Sequence, residues 1–132
     1  MGFALDTDTC SAYMKRPNDL VHRFVQYSGR LAISAVVLAE LRAGAYLRPD
    51  PAPLPRKIDD LLIDVGVLDF DAACADAYGQ LRGRMTRLGC TVAPLDLMIA
   101  SVALVHDLTL VTHNTAHFAR IPGLRLADWL AP

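Results

Sequence analysis

With 132 residues, 53% of them hydrophobic, the chain is long enough for one sizeable core and too apolar for wholesale disorder. Its formal net charge of −1 carries no global basic signature for nucleic acid, which speaks against a tight duplex binder while leaving room for an enzyme that touches RNA briefly. Cys10, Cys74 and Cys90 are odd in number, far apart and without a CxxC pattern, so neither a disulfide framework nor a zinc site is expected.

MGFALDTDTC at the N-terminus has no basic stretch leading into an apolar one, so no signal peptide is expected. No apolar run is long enough to span a bilayer, so no membrane association is expected and the expected address is the cytoplasm. So high an apolar fraction in a small chain suggests a surface that meets a partner, a second copy or a cognate protein.

Alternating strands and helices are predicted along the chain. GFALD (2–6) reads as a short strand ending at its acid. A helix follows over 8–15, with Thr7 or Asp8 as its cap, and Asn18 or Asp19 can cap a second helix running to about Tyr27. LAIS (31–34) is a strand, and Ser34 caps a helix from Ala35 to about Tyr46. RPDPAPLPR (48–56), with four prolines, is an extended loop, and a helix over about 55–63 comes next. VGVLDF (65–70) is a strand. Asp71 caps a helix over 72–88 that stops at Gly89. Pro94 and Asp96 open a helix to about His106, LTLVTH (108–113) is a strand, and a last short strand falls at 124–126. This order predicts a mostly parallel sheet, and in such sheets sites form beyond the carboxyl ends of the strands.

Three acids stand in segments that otherwise read as core: Asp6 in FALDTDT, Glu40 (the only glutamate) in VVLAELRAGA, and Asp96 in PLDLMIASVAL. Carboxylates are rarely buried unless paired or bound to metal. Each has a plainer reading. Asp6 can be a helix cap, although Asp8 is the better candidate. Glu40 can be an exposed acid near Arg42, although Val36, Val37, Ala43 and Gly44 share its helix side. Asp96 can cap its helix, although Leu95, Leu97, Ile99, Ala100, Ala103 and Leu104 mark that helix as core. Together the three suit a hard cation such as Mg2+, which takes oxygen ligands, keeps waters and uses substrate phosphate.

The pattern resembles the PIN-domain ribonucleases, most closely the VapC-type toxins of bacterial toxin–antitoxin pairs. The resemblance runs through LDTDT (5–9), ISAVVLAELRAGA (33–45), VLDFD with AYGQLR (67–82), GCTVAPLDLMIASVAL (89–104), LTLVTHNTAHFARIPGL (108–124) and the closing DW. It implies a single PIN domain over 1–132, a three-layer α/β/α fold with a central, mostly parallel sheet of four or five strands. It implies an endoribonuclease that cleaves phosphodiesters with Mg2+ or Mn2+, leaving 3′-hydroxyl and 5′-phosphate ends. Asp6, Glu40 and Asp96 correspond to the family's first three acids, with Asp6 and Asp96 as metal ligands and Glu40 orienting a water or completing the site. Asn114 stands where many relatives have a fourth acid, so the second metal is in doubt; it reads as a site-lining residue that also shapes a turn. The implied partners are a cognate VapB-type antitoxin, a second copy in a homodimer, hetero-oligomers of the two proteins, and operator DNA reached through the antitoxin. Thr7 and Thr112 read as holding phosphate or water, or as satisfying backbone groups. His113 and His117 read as surface or turn histidines, and Trp129 as a C-terminal anchor.

Two rivals stand beside this reading. DTDTC (6–10) looks like the DxDx[TV] loop of haloacid-dehalogenase phosphatases, with Asp6 as nucleophile, but Cys10 spoils the last position and no downstream lysine motif is visible. The other rival is an inactive PIN-like module that binds RNA or protein; Asn114 favours it, and the retained acid trio opposes it.

Overall fold

Residues 2–132 are described by a computed structural model. Its sheet contains β1 (Phe3–Leu5), β2 (Leu31–Ser34), β3 (Gly66–Leu68), β4 (Thr109–Val111) and β5 (Leu126–Ala127), all parallel, in the order β3-β2-β1-β4-β5. Flanking it are α1 (Thr7–Lys15), α2 (Pro17–Gln26), α3 (Ala35–Tyr46), α4 (Leu54–Asp64), α5 (Ala72–Arg87), α6 (Pro94–Val105) and the single turn α7 (Thr115–Phe118). The expected α/β class and parallel sheet are therefore present, at the upper end of the predicted strand number.

Central strands covered on both faces are apolar throughout. Leu5, Ile33, Leu110 and Val111 are accordingly buried at the middle of the sheet, with Val37 of α3 and Leu97, Ala100 and Ala103 of α6 packed among them. The chain runs outward from β1 through β2 to β3, then returns to lay β4 on the other side of β1. Connections leave β1 and β4 in opposite directions at that point, and a crevice opens beyond their carboxyl ends. The pairing Leu5↔Val111 sets Asp6 beside Thr112, and the Asp6 amide donates to the Val111 carbonyl at 2.9 Å.

Several local expectations change. Asp6, not Thr7 or Asp8, occupies the cap position of α1, because β1 ends at Leu5 and the chain turns at once. Arg16, not Asn18 or Asp19, stands at the cap of α2, since Pro17 starts that helix where its missing N–H costs nothing. The same property lets α4 begin inside the proline segment, with Pro55 in its first turn. The strands expected over 65–70 and 108–113 shorten to three residues each, and the last strand moves from 124–126 to Leu126–Ala127. Ser34 and Asp71 cap as expected, accepting from the amides of Val37 (3.1 Å) and Cys74 (3.0 Å). Gly89 ends α5 with φ +72°, where a side chain would be strained.

Leu95 is the one misassigned core residue of α6. It lies exposed beside Met98, on an apolar surface shared with Val36, Ala39 and Ala43 of α3. Trp129 anchors the C-terminus, stacked on Tyr27 with ring centroids 5.8 Å apart and lying 5.5 Å from Phe3.

Candidate active site

Asp6 comes from the end of β1, Glu40 from the second turn of α3, Asp96 from the first turn of α6, and Asn114 from the turn after β4. A helix that precedes a parallel strand runs antiparallel to it, so the start of α6 lies at the same sheet edge as the end of β1.

Two threonine hydroxyls tie this group together. Thr7 Oγ1 donates to Glu40 Oε1 at 2.6 Å, while the Thr7 amide donates to Asp6 Oδ1 at 2.8 Å. One residue thus links the first acid to the second. On the other side, Thr112 Oγ1 lies 2.8 Å from Asp6 Oδ2 and 3.4 Å from Asp8 Oδ2, and it accepts from the Asn114 amide at 3.1 Å. Asp8 in turn accepts from the His113 amide at 3.0 Å and fastens the 112–114 turn to α1. Asn114 therefore reaches the site through its backbone. It stands at the start of α7, and its side chain makes no capping bond there.

Asp96 is not a cap; Ala93 holds that position at the start of α6. The charge of Asp96 is felt at Asp6, and its Oδ2 lies 3.1 Å from His117 Nε2. Arg42 leaves Glu40 alone and pairs with Asp59 at 2.9 Å. Thr7 and Thr112 hold carboxylates. Their positions in LDTDT and VTHNT, flanking site residues, were the available signal. Nothing in the sequence connects His117 with Asp96, which lies twenty-one residues earlier on another element.

Asp6 is only 7% exposed, and its carboxyl is pushed up from 3.8 to about 6. Burial is the main cause. The hydrogen bonds from Thr112 and Thr7 hold the value down, and the charges of Asp8 and Asp96 raise it again. Burial and the neighbouring aspartates Asp6 and Asp8 push the Cys10 thiol upward, so it is a buried, protonated filler and not a nucleophile or metal ligand.

Among the described residues no lysine or arginine forms a salt bridge with Asp6, Glu40 or Asp96. Acids gathered without a balancing side chain fit an added cation, and their oxygen donors fit a hard divalent ion. No three His, Cys, Asp or Glu side chains among the described residues form a ready-made metal cage. Beside Glu40 and Thr7 a cleft of about 200 Å³ runs between α1, α3 and α4. Met14, Leu41, Leu54 and Ile58 contribute its apolar lining, and Lys15, Arg48 and Lys57 its cations.

Comparison with known proteins gives the family. The PIN domain family matches residues 3–124. The chain is 40% identical to the tRNA(fMet)-specific endonuclease VapC of Shigella flexneri over 128 residues, covering 96% of this chain and 97% of that one. It is 36% identical to Ribonuclease VapC2 of Rickettsia felis, with 98% of each chain covered. Among solved structures, DNA-bound VapBC from Salmonella typhimurium superposes with a TM-score of 0.92 at 37% identity, covering 98% of each chain. VapBC2 from Rickettsia felis, bound to a fragment of its promoter, gives 0.91 at 34% identity, covering 98% of this chain and 99% of that one. Membership sets the phosphatase alternative aside: the chain belongs to the PIN-domain family, among the VapC ribonucleases.

Proposed function

We propose that the whole chain, 1–132, acts as one PIN domain with metal-dependent endoribonuclease activity, the toxin of a VapBC-type pair. The observation that carries this reading is the gathering of Asp6, Glu40 and Asp96 at one end of the sheet, with threonines holding Asp6 and Glu40 and, among the described residues, no lysine or arginine salt bridge to any of the three. Asp6 and Asp96 would hold Mg2+ or Mn2+. When bound, such an ion stabilises charge on a phosphoryl oxygen and makes water more acidic. The remaining steps belong to the chain. Burial of Asp6 excludes bulk water from one wall, and Thr7 leaves Glu40 with a free carboxylate oxygen to orient the attacking water and accept its proton. Attack in line at phosphorus then breaks the P–O3′ bond, and the leaving 3′-oxygen takes a proton from solvent water, giving a 3′-hydroxyl and a 5′-phosphate. Asn114 puts a neutral residue where many relatives carry a fourth acid, which favours one metal ion over two.

Its similarity to the Shigella flexneri endonuclease makes tRNA(fMet) the first RNA to test. A cognate antitoxin is the expected partner, since the Salmonella and Rickettsia relatives are VapBC complexes, and operator DNA would be reached through it. The cleft beside Glu40, with an apolar lining and cationic members, suits an antitoxin segment. The apolar surface of Val36, Ala39, Leu95 and Met98 suits a second copy. Among the described residues no helix is long and apolar enough to cross a membrane, and the cytoplasm is the proposed address.

Sequencing RNA 5′ ends after induced expression, wild type beside Asp6→Asn, tests the reading. A discrete set of new ends in the wild type alone is expected, and purified protein should lose cleavage in EDTA. Identical ends in both strains would favour an inactive binding module, and full cleavage in EDTA would refute the dependence on metal.

A further inference from the structure

We infer that Thr7 is a positioning residue for the cleavage step: its hydroxyl aims the Glu40 carboxylate at the attacking water, while Asp6 is held independently of that hydroxyl. This rests on the metal-dependent reading above and gives one side chain a separate task within it. The Thr7 hydroxyl donates to Glu40 Oε1 at 2.6 Å, short as hydroxyl-to-carboxylate hydrogen bonds are. Among the described residues Glu40 has no other hydrogen bond and no ion pair. Asp6 is tied differently, to the Thr7 backbone amide at 2.8 Å and to the Thr112 hydroxyl at 2.8 Å. Neither of those bonds uses the Thr7 side chain, so a change in that side chain reaches Glu40 and leaves Asp6 in place. The donor is a hydroxyl, which keeps its hydrogen throughout the working pH range.

The backbone is anchored at both ends of this bond. Thr7 follows β1 directly, the Asp6 amide is fixed to the Val111 carbonyl at 2.9 Å, and Thr9 and Cys10 of the same helical turn are buried. The Thr7 side chain is β-branched and stiff. A threonine further along a helix can turn its hydroxyl back onto the preceding turn. At the first position of α1 there is no preceding turn, and the hydroxyl is available to α3. The backbone of Glu40 is equally firm, since Ser34 caps α3 and Val37 and Leu41 of that helix are buried. Its carboxylate, by contrast, ends a long flexible stem, and nearby Arg42 is engaged with Asp59. Without the hydroxyl the carboxylate samples several rotamers, of which only a fraction meet the water in line with phosphorus. The loss of one hydrogen bond to a charged group sets the effect at about 10-fold to 100-fold in rate.

Two measurements on the purified full chain test this: single-turnover cleavage in Mn2+ of an RNA oligonucleotide carrying a cut site found by the 5′-end sequencing above, and Mn2+ titration calorimetry without RNA. Thr7→Val and Thr7→Ala lack the hydroxyl and keep the amide that holds Asp6; Thr7→Ser restores the hydroxyl. Both hydroxyl-free variants are expected to cleave about 10-fold to 100-fold more slowly at saturating protein, with half-saturation and Mn2+ affinity within about 3-fold of wild type. Thr7→Ser is expected to cleave within about 3-fold of the wild-type rate. In a Glu40→Ala background, removing the hydroxyl should cost less than about 3-fold more, because there is no carboxylate left to aim. The melting temperature in EDTA identifies a variant that does not fold; alanine, well suited to a helix, then carries the comparison with serine. Wild-type rates in the hydroxyl-free variants, an equal loss in Thr7→Ser, or a parallel loss of Mn2+ affinity overturns the inference. So does a further loss of about 10-fold in the Glu40→Ala background, which would put the hydroxyl on the RNA itself. If the wild type neither binds Mn2+ nor cleaves, the metal-dependent reading fails and takes the role of Thr7 with it.

Discussion

Asp6→Asn is expected to stabilise the metal-free protein at neutral pH while abolishing cleavage. A carboxyl moved from 3.8 to about 6 prefers its protonated form in the folded state by about 3 kcal/mol. Above pH 6 that preference is a full penalty on the folded state, because the charged form is buried. As pH falls through 6 the folded state takes up a proton before the unfolded state does, so the penalty shrinks and is gone below about 4. The asparagine amide has no charge to bury. It can accept from the Thr7 amide and donate to Thr112 Oγ1, whose own hydrogen can turn to Asp8 Oδ2, 3.4 Å away. Allowing about 1 kcal/mol for that poorer hydrogen bond, the net gain is about 1–2 kcal/mol at pH 7.5. Urea unfolding in EDTA at pH 7.5 and pH 4 measures it, and the variant-minus-wild-type difference cancels the other titrating groups. Asp6→Asn that is destabilised equally at both pH values would refute a charge penalty at this position.

Other outcomes follow from the same contacts. Mn2+ affinity should fall as pH drops through about 6, because the proton competes for Asp6; a flat titration between pH 5 and 8 would show that Asp6 is not a ligand. Thr112→Val removes the hydroxyl that holds Asp6 down, so the acid limb of the pH–activity profile should move upward, with about 1–2 kcal/mol of stability lost; Thr112→Ser should restore both. Ser34→Ala deletes the cap of the helix that carries Glu40 and should cost about 1 kcal/mol in urea unfolding. Arg42→Ala breaks an exposed pair with Asp59 and should change stability by less than about 1 kcal/mol and leave cleavage intact; a large loss of activity would show that Arg42 serves Glu40 after all.

The sequence by itself determined the alternation of elements, the parallel sheet and the caps at Ser34 and Asp71, and it singled out Asp6, Glu40 and Asp96. These are legible because they depend on local patterns: fully apolar strands, helix-starting hydroxyls and carboxylates, and acids set in apolar surroundings. The start of α1 was misread because the cap and the site share a residue. Asp6 caps and faces the crevice at once, so no choice between the two was needed. Tertiary structure alone decided which groups hold the acids. Thr7 meets Glu40 across thirty-three positions, Thr112 meets Asp6 across one hundred and six, and His117 of α7 stands 3.1 Å from Asp96 of α6. Those meetings follow from laying β4 against β1 after a long excursion, and no periodicity within one element records that event. The burial that lifts Asp6 to about 6 has the same origin, since it arises only when the carboxyl ends of two distant strands close over it.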